Sequence, residues 1–143
     1  MKTAFIIIDV QNILVETGFE TQKLLEKISY LQDQARKQQI EIIYIQHIET
    51  EEALTSEDWK LSPLLKRQSD EKVFQKRYNS IFKETGLKEY LDQQGIEKLV
   101  LCGMQTEYCV DTSVKVAFEH GYKLVVPEGT VTTFDGDDIP AET

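Results

Sequence analysis

The feature that most constrains this chain is a set of apolar runs with helical stretches between them. Thr3 to Val10, Ile40 to His47 and Glu97 to Cys102 are hydrophobic almost throughout instead of alternating with polar residues. A strand that is apolar on both sides must be covered on both sides, which is the mark of a parallel sheet between two helical layers. Phe19 to Gln38 carries Leu24, Leu25, Ile28, Leu31 and Ala35 on one stripe at helical spacing. Thr85 to Gln94, closed by Gly95, and Thr106 to His120, closed by Gly121, read as further helices. Val73 to Gln75 and Tyr122 to Val126 read as strands. The expected fold is therefore α/β: three-layer, Rossmann-like, with a mostly parallel sheet of about five or six strands and helices on both faces.

At 143 residues the chain is expected to form one domain, residues 1–143. Ile139 to Thr143 reads as the beginning of a helix, so a C-terminal helix is expected to be missing. The long connection from Glu49 to Lys72 is polar and holds Trp59 and Pro63. Against 16 Lys and Arg stand 25 Asp and Glu, a net charge of −9. That balance argues against nucleic acid and anionic membranes as partners. Phe5 to Ile8 is too short for a signal peptide or a membrane span. Cys102 and Cys109 form neither a disulfide framework nor a CxxC zinc pair, and free thiols suit a reducing cytoplasm.

Ligands of parallel sheets bind beyond the carboxyl ends of the strands. Asp9, His47, Lys76 and the segment Gly103 to Cys109 all fall at or just after such ends. Leu99 to Val110 reads as a buried strand, a glycine turn and a helix start, with Thr106 as cap and Cys109 in the first turn. A thiol there feels the positive end of the helix dipole, which favours the thiolate. Attack by sulfur on a carbonyl also needs a proton acceptor and donors for the developing oxyanion. Asp9 suits the first role, because burial would raise its pKa toward that of a useful base. Lys76 is a cation able to hold the thiolate and orient the carboxylate. The backbone N–H groups of Gln105 and Cys109 suit the oxyanion. Each residue also has an ordinary structural reading. An Asp at a strand end is commonly a turn residue, Cys102 reads as inert packing, and His47 reads as a hydrogen-bonding residue rather than a metal ligand.

These residues resemble the isochorismatase-like cysteine hydrolases, the superfamily that includes nicotinamidases and N-carbamoyl amide hydrolases. Ile6 to Asn12 resembles the opening strand with its D-x-Q-N signature. Lys76 to Phe82 resembles the K-x-x-x-S-x-F segment, and Gly103 to Val110 the G-x-x-T-x-x-C-V turn. Trp59 to Pro63 resembles a W-x-L-x-P segment of some members. The resemblance implies Asp9 as general base, Lys76 as its cationic partner, Cys109 as nucleophile and a cis peptide between Met104 and Gln105. It implies a small-molecule amide as substrate, a thioester intermediate, no cofactor, and a dimer or tetramer. Gln11, Leu14, Trp59 and Tyr108 are expected as substrate-pocket walls. Zinc-binding members carry D-x-H…H after the second strand. Here that stretch is His47-Ile48-Glu49-Thr50-Glu51-Glu52, so no metal is expected. Two alternatives stand beside the amidohydrolase: a vinyl-ether hydrolase of the isochorismatase type, which works without the cysteine, and a catalytically silent binding module of the same fold.

Overall fold

β1 (Thr3–Ile8) forms the middle of the sheet because its residues are buried on both sides, with Ala4, Ile6 and Ile8 on one face and Phe5 and Ile7 on the other. A computed structural model describes residues 1–133 and 141. β2 (Glu41–His47) and β4 (Lys98–Met104) flank β1, and β3 (Lys72–Lys76) lies outside β2. β5 (Lys123–Val125) and β6 (Val131–Thr132) pair in succession along the outer side of β4. The strand order is β3-β2-β1-β4-β5, and every pairing between strands is parallel. This is the three-layer α/β architecture expected. α1 (Asn12–Thr17) and α2 (Thr21–Lys37) cover one face. α3 (Leu87–Gln93) and α4 (Asp111–Glu119) cover the other.

The stripe on α2 buries Leu24, Leu25, Ile28 and Ala35 against Phe5, Ile7, Ile42 and Tyr44. A wholly buried residue such as Ile28 contributes about 1.5–3 kcal/mol. Leu87, Leu91, Ala117 and Tyr122 fill the opposite face with Ile6, Ile43 and Leu101.

The structure departs from expectation in several places. β1 ends at Ile8, and Asp9 turns into the left-handed region with φ 54°. A short helix, α1, follows at once, where none was expected. The Glu49 to Lys72 connection folds into 3₁₀ turns at Glu51–Thr55, Glu57–Trp59 and Pro63–Leu65. The segment ahead of α4 is a π-helical turn, Thr106–Val110, with Gln105 and not Thr106 at its cap position. β6 was also unforeseen. The expected helix start at Ile139 to Thr143 lies outside the described residues except for Ala141, which is in a turn.

Candidate active site

The carboxyl ends of β1, β2, β3 and β4 bring Asp9, His47, Lys76 and the π-helical turn with Cys109 to one edge of the sheet. β2 separates β1 from β3, so Lys76 has to span an intervening strand to reach Asp9. Neighbouring strands lie about 4.8 Å apart, a distance a lysine stem covers. Its Nζ lies 3.0 Å from Asp9 Oδ2 and 3.1 Å from Cys109 Sγ. It also lies 3.0 Å from the Tyr78 carbonyl oxygen and 3.0 Å from His47 Nδ1. Asp9, Lys76 and Cys109 are all buried.

The second carboxylate oxygen, Asp9 Oδ1, is buried and has no hydrogen-bond partner among the described residues. Burial raises the pKa of Asp9 above its usual range, against the opposing pull of the Lys76 charge. The same burial, reinforced by the Asp9 charge, pushes the Cys109 thiol up to about 11, with Lys76 pulling the other way. The expected preference for the thiolate is therefore opposed: desolvation and the neighbouring carboxylate both favour the thiol form of Cys109. Asn79 Oδ1 stands 3.8 Å from Sγ.

The turn that carries the sulfur depends on Gly103. Its φ is +123°, and an added Cβ would stand 2.0 Å from the Ile8 carbonyl oxygen. Only glycine lets β4 pass this close to β1. The Met104–Gln105 peptide is cis. The Gln105 carbonyl accepts from the N–H groups of Tyr108 and Val110.

Among the expected pocket walls, Gln11 is corrected. It is wholly buried, and its Nε2 donates to the carbonyls of His47 (3.0 Å) and Trp59 (2.6 Å). Its Oε1 accepts from the His47 N–H at 2.8 Å. Gln11 therefore clamps the chain instead of facing a ligand. Leu14 packs on the core cluster under α2. Tyr108 is exposed, and the Trp59 ring lies 6.3 Å from that of His47. Sequence reasoning missed the contact of His47 with Lys76. The two are register partners on β2 and β3, and strand register is not visible in the residue pattern.

The isochorismatase-domain family model matches residues 3–142. The chain belongs to the isochorismatase family. An uncharacterized isochorismatase family protein of Bacillus subtilis is 30% identical, over 99% of this chain and 86% of its own length. A crystal structure of an isochorismatase family protein superposes with a TM-score of 0.93 at 29% identity, covering 98% of this chain and 86% of that one. Maleamate amidohydrolase of Pseudomonas putida is 37% identical over a shorter stretch, 41% of this chain and 28% of that protein. The isochorismatase family is a family of hydrolases, with amidohydrolases among its members.

Among the described residues, one ligand atom each from Asp9, His47 and Cys109 lies within 4.8 Å of the others. The residues do not fit an ion in that place. The Lys76 ammonium already lies 3.0 to 3.1 Å from a polar atom of each of the three, and a cation would have to displace it. No described helix is long and apolar enough to cross a membrane.

Proposed function

We propose that this isochorismatase-family hydrolase cleaves a small-molecule amide or carbamoyl C–N bond through a thioester on Cys109. The observation that carries this reading is the buried Lys76 ammonium, in contact with both the Asp9 carboxylate and the Cys109 sulfur. Asp9 Oδ1, the oxygen not held by Lys76, takes the Sγ proton as sulfur attacks the carbonyl carbon. The raised pKa of Asp9 suits a base that must accept and then return a proton. Because the thiol itself titrates high, proton transfer accompanies attack instead of preceding it. The N–H groups of Gln105 and Cys109 hold the oxyanion. Asp9 then protonates the leaving nitrogen, which departs as ammonia or an amine. Asp9 next takes a proton from a water, and that water cleaves the thioester to the acid and the free thiol. The name of the maleamate relative supports an amide substrate. A reducing compartment would keep both cysteines free, and assembly as a dimer or tetramer goes with this reading.

The test is a screen of small amides and N-carbamoyl compounds for ammonia release. Turnover by the wild type, and its loss by at least about 1,000-fold in Cys109→Ala, supports the reading. Full turnover in Cys109→Ala overturns it. Vinyl-ether hydrolysis that survives the substitution would point to the isochorismatase-type reaction instead.

A further inference from the structure

The Lys76 ammonium has three N–H donors and no acceptor. Four acceptors stand within 3.1 Å of it: Asp9 Oδ2, the Tyr78 carbonyl oxygen, His47 Nδ1 and Cys109 Sγ. The carboxylate is the only charged acceptor of the four while the sulfur is a thiol, and the Tyr78 carbonyl belongs to the backbone. Both keep an N–H. One N–H is left for the imidazole and the sulfur together.

His47 is held for this contact from several sides. Its backbone N–H and carbonyl are both clamped by buried Gln11. Its Nε2 lies 3.2 Å from Glu49 Oε1. An ammonium cannot accept, so Nδ1 must carry the lone pair and the hydrogen must sit on Nε2, facing Glu49. A thiol sulfur is a weak acceptor and an imidazole nitrogen a good one, so in the resting state the third N–H goes to His47.

We propose that His47 is a positioning residue that shares the Lys76 ammonium with Cys109, holding it while the sulfur is a thiol and yielding it when the sulfur becomes anionic. This rests on Cys109 being the nucleophile. It gives the site a sulfur that is quiet at rest and stabilised only as charge forms on it, the arrangement that lowers a barrier instead of a ground state. It also shields an idle thiol from chance oxidation, since the thiolate is the form that reacts.

Removing the acceptor commits the third N–H to sulfur and makes the resting thiolate more populated. His47→Phe keeps a ring of similar volume beside Trp59 but has no acceptor. His47→Gln keeps one. Iodoacetamide alkylation of Cys109 at pH 8, followed by peptide mass, reads the thiolate fraction. His47→Phe should react about tenfold faster than wild type, the effect of a one-unit fall in thiol pKa. His47→Gln should stay within about twofold. An unchanged or slower rate in His47→Phe overturns the proposal, as does an equal acceleration in His47→Gln. Nitrogen NMR of the wild-type imidazole gives a second reading that needs no variant to fold. A bare Nδ1 with Nε2–H supports the proposal, and Nδ1–H overturns it. Neither measurement depends on turnover, so they can fail while Cys109→Ala still abolishes ammonia release, and the reverse also holds.

Discussion

Asp9 and Lys76 form an ion pair across an intervening strand, with Nζ 3.0 Å from Oδ2 and both side chains buried. Removing one partner strands the other charge in the interior. Lys76→Met should lose turnover and about 3–5 kcal/mol of stability in urea unfolding. The double variant Asp9→Asn/Lys76→Met should regain most of that stability and none of the turnover. A single variant as stable as the wild type would mean that the pair is not desolvated.

The Cys109 thiol gives stability a pH signature. Its pKa is raised in the folded protein to about 11, from 9.0. The thiol form is favoured by folding, so its contribution is complete below about pH 9 and is lost as pH rises through about 11. Between those values wild-type unfolding free energy should fall by about 2 kcal/mol more than that of Cys109→Ala. Parallel pH profiles would contradict this.

Gly103→Ala puts a methyl group against the Ile8 carbonyl at the point where β1 and β4 meet. The variant should lose about 3 kcal/mol or more, or fail to fold, because backbone and not a mobile side chain stands in the way. Thermal unfolding reads this directly. A variant within about 1 kcal/mol of wild type would show that the strands can part without cost.

Gln11→Leu removes the bonds that tie α1's entry to β2 and to the Trp59 turn. It leaves the part-buried His47 N–H and carbonyl without the partner Gln11 supplies, while the Trp59 carbonyl keeps the Gln46 Nε2 donor at 3.0 Å, so stability should drop by about 2–3 kcal/mol. If Gln11 lined the pocket instead, KM would rise with little change in the urea midpoint, and the two measurements separate these roles.

Much of this was legible in the residue pattern. Short continuous apolar runs such as Phe5 to Ile8, set between helical stretches, read as central parallel strands, and from that the carboxyl-end location of Asp9 followed. What stayed hidden depended on three-dimensional register. The pairing of His47 with Lys76 and the inward turn of Gln11 arise from how β2 sits beside β3 and β1, which hydrophobicity does not encode. The sulfur's environment was misjudged for a related reason. Proximity to a helix start is a local property, whereas burial beside a carboxylate comes from distant segments.

The strand order has a kinetic meaning. Lys76 leaves β3 at one edge of the cluster, Cys109 enters after β4 at the other, and β1 and β2 lie between them. No single hairpin or βαβ unit holds the complete set, so every long loop must close before the first competent site exists. On refolding, recovery of catalysis should therefore be among the last signals to return. Far-UV ellipticity can recover early from α2 alone, and enzyme activity would serve as an all-or-none gauge that the whole sheet has assembled.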